Sequence, residues 1–334
     1  AGTKIARLVG AADDCVMVAD STSINWFKLL AAALRLRPER RVIVTSDEDF
    51  PTDLYMADGL AELTGDGVEV RRVPIDEVPD AIDESVAVVA LGHVDFKTGD
   101  LRDLATLTQA AHARGATSLF DLAHSAGVVA IELDALGVDL AVGCGYKFLN
   151  GGPGAPAFAY VERRWHDALS TPLQGWLGHA APFAFDGTYR PAPGVGRLQC
   201  GTPPILSLAA LDRALDAYDD IDIADLRVKS QRLGSFFLER AAIRCPELTP
   251  ISPLDETQRA SQVSFRHAEG YAIVRAAIER GLVGDFRAPD VLRFGLAPLY
   301  LRYVDVWDAV EILREVIDAA PWTTPPPPPS GGVT

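Results

Sequence analysis

The apolar residues of this chain follow two alternating rhythms. Short runs rich in β-branched and aliphatic side chains occupy residues 41–45, 68–70, 117–120, 140–142 and 157–161, and each reads as a strand. Residues 85–91 are apolar at nearly every position, as expected of a strand covered on both faces. Between these runs, apolar residues recur three and four apart over 24–34, 51–63 and 101–114, which reads as helix. Pro51 suits a first helical position, and Gly115 closes the third run. Strand and helix in alternation predict an α/β architecture, a mostly parallel central sheet flanked by helices.

From about residue 205 the rhythm changes. Residues 206–243 are largely helical, with a break near 219–222. An alternating strand (261–265), a helix (272–280), a strand (291–294) and a last helix (305–319) follow. This predicts a large domain over 1–205 and a smaller C-terminal α/β domain over 206–320. The proline-rich tail, 321–334, is low-complexity and expected to be disordered. No internal repeat is visible. The first residues read as an amphipathic helix (Ile5, Leu8, Val9) without an initiator Met, so residues N-terminal to Ala1 are expected to be missing.

Composition narrows the partners. The 334 residues include 48% hydrophobic and 23% charged residues, an ordinary globular balance. A net charge of −15 without a basic block argues against nucleic acid and anionic membrane. No apolar run reaches the roughly 18 residues needed to span a bilayer. The four cysteines (Cys15, Cys144, Cys200, Cys245) are scattered, with no Cys-x-x-Cys pair and no His at zinc-ligand spacing. No metal site is expected, and a reducing cytoplasm is.

Nucleotide signatures are absent: there is no Gly-x-Gly-x-x-Gly and no Gly-x-x-x-x-Gly-Lys. The glycines after Lys147 (Gly151, Gly152, Gly154) precede a strand and not a helix, so they do not cradle a phosphate. Other residues carry chemistry. Asp121 follows the apolar run 118–120 and sits at that strand's carboxyl end; taken alone it reads as a helix N-cap. Lys147 follows the strand 140–142, among Cys144, Phe148 and Leu149, surroundings where a lone ammonium is costly. Asp20, Ser21, Thr22 and Ser23 precede a helix, which makes either an anion site or plain N-capping. Phe50, Pro51, Thr52 and Asp53 form a second strand-to-helix corner. An amine, a carboxylate, an anion site and an aromatic face are what pyridoxal phosphate requires.

The segments 120–127 and 143–154 strongly resemble the kynureninase family, whose members are fold type I pyridoxal phosphate enzymes. Further agreement lies in 175–179 (Gly175, Trp176, Leu177, Gly178, His179), in 200–205 and in 284–295. The resemblance covers essentially residues 1–320. It implies that Lys147 forms the Schiff base and that Asp121 pairs with the pyridinium nitrogen. Thr22 and Ser23 hold the phosphate, with Phe50, Pro51, Thr52 and Asp53 also at the cofactor. His124 and Tyr146 would line the site, and Tyr146 reads either as an acid/base or as a phosphate or ring contact. Trp176 and Thr202 reach a phosphate, in the partner subunit of a homodimer with shared active sites. Arg293 would take the substrate α-carboxylate in a bidentate pair, and His179 would lie near the substrate. Apart from the resemblance, Arg287 reads ambiguously, with buttressing of the Arg293 strand as one role open to it. His93, His112, His166 and His267 are expected to be surface or structural.

The implied reaction is hydrolysis of a carbon–carbon bond in a ketonic substrate: L-kynurenine or 3-hydroxykynurenine to anthranilate or 3-hydroxyanthranilate and L-alanine, in tryptophan catabolism and NAD biosynthesis. Two departures stand out. Gly92 occupies a position where the family usually offers a small hydroxyl residue, and the family's N-terminal segment is expected to be missing. The alternatives are another fold type I enzyme, such as a desulfurase or aminotransferase, and an inactive truncated relative.

Overall fold

The computed structural model describes residues 1–65, 67–320 and 322. The proline-rich tail expected to be disordered lies outside the described residues, except Trp322. The described residues form two compact units: residues 1–94 with 102–221, and residues 95–101 with those from 222 onward.

The first unit is built on a seven-stranded sheet: β1 (Val16–Val18), β2 (Val42–Ser46), β3 (Glu69–Val73), β4 (Val86–Gly92), β5 (Thr117–Asp121), β6 (Leu140–Cys144) and β7 (Ala157–Val161), in the order β1-β7-β6-β5-β4-β2-β3. Strands β3, β2, β4, β5 and β6 run parallel, and β7 and β1 each pair antiparallel. The sheet is mixed, with a parallel majority. All residues of β4 except Gly92 are buried, which explains its unbroken apolar sequence.

Helices α1 (Gly2–Leu8), α2 (Thr22–Leu36), α3 (Pro51–Thr64), α4 (Leu104–Ala113), α5 (Leu133–Leu136) and α6 (Ile205–Ala214) complete this unit. Helix α2 packs against β4, β5, β6 and β7 and buries Trp26, Leu29, Leu30, Ala32 and Ala33. Gly65, with φ 60°, ends α3 in the left-handed conformation that glycine adopts cheaply. Helix α4 begins at Leu104 and not at 101, because the Asp103 side chain accepts from Ala105 N (2.9 Å) and Thr106 N (3.1 Å).

Compact packing carries α6 and the turn to Ile221 with the first unit, past the 205/206 boundary drawn from the sequence. Leu211 fills the space beside Gly145 and Gly151, Lys4 Nζ donates to Asp212 O (2.8 Å), and Tyr218 Oη donates to Gly127 O (3.0 Å).

The second unit holds α7 (Ile223–Arg244), β8 (Thr249–Pro250), β9 (Gln262–Arg266), α8 (Gly270–Glu279), β10 (Asp285–Arg287), β11 (Val291–Gly295) and α9 (Tyr303–Ala319). Its sheet is antiparallel, in the order β10-β11-β9-β8. Phe237 sits 5.7 Å from Phe265 and 5.4 Å from Phe294, ring centre to ring centre, at the middle of the core. Asp222 caps α7 by accepting from Ala224 N (2.8 Å), which accounts for the break read at 219–222. Residues 95–101 join this unit through Leu101 N to Gln258 O (2.8 Å) and Ser252 Oγ to Thr98 O (2.5 Å). No described helix is long and apolar enough to cross a membrane.

Candidate active site

The carboxyl ends of the parallel strands bring the sequence candidates together. Gly92, Asp121 and Val142 stand in register across β4, β5 and β6. Asp121 ends β5, with Oδ1 accepting from Ala123 N (2.8 Å). Burial pushes its carboxyl up to about 6, against the pull of the Lys147 ammonium. Lys147 follows β6, with Nζ 5.8 Å from the Tyr146 ring centre. Its charge favours the ionised forms of Asp121, Asp53 and Cys144 alike, so these three acids lie within its electrostatic reach.

The loop that presents Lys147 is tightly built. A Cβ on Gly143 would stand 2.5 Å from the Phe158 ring, and one on Gly145 would stand 2.4 Å from Pro156 O. Only glycine lets the chain pass there. Asn150 adopts φ 59° and donates from Nδ2 to Phe148 O (2.7 Å). Tyr218 Oη binds both Phe148 O and Gly127 O, tying the lysine loop to the turn that carries His124. His124 is partly buried on that turn. Half-exposed Tyr146 has its phenol pushed up to about 12, by burial first and then by Cys144 and Asp121.

The two strand-to-helix corners face the same end of the sheet. Ser21 caps α2 by accepting from Ile24 N (3.3 Å), while Thr22 Oγ1 is buried with no partner among the described residues. Ser23 is partly buried in the first turn. At the second corner Phe50 is 44% exposed, Pro51 and Thr52 are partly buried, and Asp53 is buried. Asp53 Oδ2 is likewise unpartnered, and its carboxyl is pushed well above the ordinary range by burial, then by Asp121 and Asp49. Trp26 Nε1 donates to Asp53 O (3.2 Å), binding one corner to the other.

Sequence reading missed the groups behind these corners. Asp49 is buried against Arg102 and accepts from Gly92 N (3.2 Å), while Arg102 Nη1 donates to Gly92 O (2.9 Å). Gly92 therefore engages this pair through its backbone. A Cβ there would meet Asp49 Oδ1 at 3.3 Å, so the pair fills the space beside it. Lys28 is a fully buried cation in α2. A lysine among the core residues of an apolar helix was the available signal for Lys28; Arg102, Asp49 and Tyr218 lacked even that.

The remaining candidates belong to other elements. Trp176 is 42% exposed and packs edge-on against Phe183 (5.8 Å), and Thr202 is exposed. His179 is buried, with Nδ1 accepting from Ala181 N (2.9 Å) and Nε2 facing Thr188 O (3.2 Å). Arg293 belongs to the second unit, where Nε and Nη2 clasp Asp285 (2.8 and 2.7 Å) and Nη1 donates to Phe96 O. Arg287 reaches the same Asp285 at 3.5 Å. His93 pairs with Ser125 (2.9 Å), His112 with Asp139 (2.7 Å) and His166 with Val161 O (3.0 Å), all structural contacts.

These residues fit pyridoxal phosphate. Lys147 supplies the amine, Asp121 a buried carboxylate for a ring cation, Thr22 an idle donor at a helix start, and Phe50 an exposed aromatic face. A cation beside Asp121 and Asp53 would relieve the cost of ionising them.

Solved structures share the fold. A cysteine desulfurase from Escherichia coli superposes with a TM-score of 0.79 over 95% of this chain and 82% of its own, at 22% identity. A cystine C–S lyase superposes at 0.77 over 94% and 84%, at 16% identity. Fold and site together define a fold type I pyridoxal phosphate enzyme. Residues 226–313 match the family model described as the kynureninase C-terminal domain. The chain is 48% identical to a kynureninase from Pseudomonas fluorescens over 96% of its length and 79% of that protein. It is 46% identical to one from Burkholderia mallei strain SAVP1 over 100% of its length and 82% of that protein. The chain belongs to the kynureninase family.

Proposed function

We propose that this chain hydrolyses L-kynurenine to anthranilate and L-alanine. The observation that carries the chemistry is the placement of Asp121 at the carboxyl end of β5 and of Lys147 just past the paired strand β6, with Asp53, at the start of α3, within electrostatic reach of the same amine. Family membership carries the substrate.

Bound pyridoxal phosphate supplies an electron sink for charge that develops at the substrate α-carbon. Lys147 Nζ would hold the cofactor and, as a free amine, would take the α-proton of the substrate. Asp121 keeps a proton on the ring nitrogen. Thr22 and Ser23 would donate to the phosphate, Pro51, Thr52, Asp53 and His124 would wall the site, and Phe50 would contact the ring. Tyr146, pushed up to about 12, stays protonated at neutral pH; it would give its proton to the side-chain carbonyl oxygen as water adds and take back the proton that the water loses, so that it is restored before the carbon–carbon bond breaks. Arg293, oriented by Asp285, keeps an N–H on each of Nη1 and Nη2 for the substrate α-carboxylate. His179, with both ring nitrogens engaged by backbone, offers its ring face to the substrate.

The working form is a homodimer in which Trp176 and Thr202 reach the partner's phosphate. Support comes from the exposed apolar surface around them: Phe183 and Phe185 are 74% and 79% exposed, and Leu206 is 89% exposed. The enzyme is assigned to the cytoplasm, which suits four unpaired cysteines. The desulfurase alternative needs a reactive thiolate. Cys144 and Cys245 are buried with thiols pushed up, Cys245 to about 11.

The test is product analysis of the loaded enzyme with L-kynurenine, 3-hydroxykynurenine and L-cysteine. Equal amounts of anthranilate and alanine from kynurenine are expected, and the hydroxylated substrate measures preference. Sulfur release from cysteine without anthranilate would overturn the proposal.

A further inference from the structure

Lys28 is the most deeply buried cation of the first unit, and none of the roles assigned above uses it. It lies on α2 with its side chain fully enclosed. Its ammonium bonds the Asp20 carboxylate and donates to Leu198 O (2.6 Å). Asp20 immediately precedes the hydroxyl-bearing residues of the α2 start and adopts φ 50°, the left-handed region that a side chain rarely enters. Its carbonyl accepts from Ala157 N (2.9 Å), so the residue is held from both sides. Asn25, one turn on, is also buried and donates to Ala19 O (2.8 Å). The loop is thus gripped from beneath, while Thr22 Oγ1 above is left unpartnered.

Leu198 extends the connection. It leads into Gln199 and Cys200, against which Gly178 and Gly175 pack so closely that a Cβ on either would clash with backbone. One amine therefore ties the loop bearing Thr22 and Ser23 to the segments bearing Trp176 and Thr202.

A carboxylate is an odd neighbour for a site that takes a phosphate dianion. Unpaired, Asp20 would repel the ligand; paired with a buried ammonium, it becomes part of a rigid, neutral support. We infer that Lys28 is a positioning residue of the cofactor's phosphate site, which cancels the Asp20 charge and holds the Asp20–Ser23 turn in its binding conformation. The inference rests on the reading of Thr22 and Ser23 as phosphate ligands.

The experiment compares affinities of the cofactor-free chain for pyridoxal phosphate and for pyridoxal, which lacks the phosphate. Both engage Lys147 and the ring contacts, so their ratio isolates the phosphate. Lys28→Met should lower the ratio about tenfold to a hundredfold by exposing the ligand to an uncompensated carboxylate. Asp20→Asn, which keeps the lysine and tolerates the left-handed backbone, should raise it by about threefold or more. The second variant decides if the first does not fold. Parallel changes for both ligands, or an unchanged ratio in Asp20→Asn, would overturn the inference and leave a purely structural ion pair. A wild-type chain without preference for the phosphorylated ligand would instead overturn the Thr22 and Ser23 reading itself.

Discussion

Replacing Asp121 with Asn should stabilise the cofactor-free protein while disabling it. Burial raises this carboxyl from 3.8 to about 6. Above the folded-state value, both folded and unfolded chains carry the ionised form, and the folded chain bears its desolvation. At about 1.4 kcal/mol per tenfold change in the proton equilibrium, that burden is about 3 kcal/mol near pH 8. It shrinks as pH falls, because the folded carboxyl takes up its proton below about 6 while the unfolded one stays ionised down to about 4. Near pH 4.5 about 1 kcal/mol remains. Asparagine keeps the oxygen that accepts from Ala123 N and carries no charge at any pH. Urea unfolding of the two cofactor-free proteins should therefore show the variant ahead by about 3 kcal/mol at about pH 8, falling to about 1 near pH 4.5. The same substitution removes the ring cation's partner, so the loaded variant should turn over at least about a hundredfold more slowly. A variant no more stable than wild type near pH 8 would refute the account of Asp121 as a carboxylate kept in an unfavourable setting for a cationic ligand.

Other outcomes follow from neighbouring groups. Tyr146→Phe should lower kcat by about a hundredfold or more with the cofactor still bound; an unchanged kcat would make the tyrosine a ring contact only. Gly145→Ala places a Cβ 2.4 Å from Pro156 O and should cost about 1–3 kcal/mol, read as a lower Tm. Arg293→Lys gives up the two-pronged grip on Asp285 and should raise KM about tenfold with a smaller change in kcat. A KM within experimental error of wild type would remove Arg293 from the substrate.

Much of this was legible because the responsible forces are local. Strand β4 shows in its sequence because both faces are covered, and a one-letter pattern records that directly. The placement of Asp121 and Lys147 at one end of the sheet was legible because Asp121 closes one apolar run and Lys147 follows another, and in a parallel sheet the carboxyl ends of strands meet. Strand β1 was not, since three residues leave no room for a period to show. Nor was β10, whose residues Asp285, Phe286 and Arg287 are only partly buried and owe their conformation to pairing with β11. The buried ion pairs were invisible for another reason. Pattern reading sends charge to the surface, and Arg102 is buried only because Asp49, far away in sequence, meets it. The boundary of the first unit moved past α6 because Leu211 and Tyr218 pack against the lysine loop, contacts that no periodicity encodes.

The assignment of Lys147 as the cofactor's attachment point is tested most directly by borohydride trapping. Reduction of the loaded enzyme fixes the cofactor to its amine, and peptide mapping then locates it. The chain offers Lys4, Lys28, Lys97, Lys147 and Lys229. The label should appear on the peptide bearing Lys147 alone, and Lys147→Ala should lose both the label and the yellow colour. A label on any other lysine, or a coloured Lys147→Ala protein, would contradict the site described here.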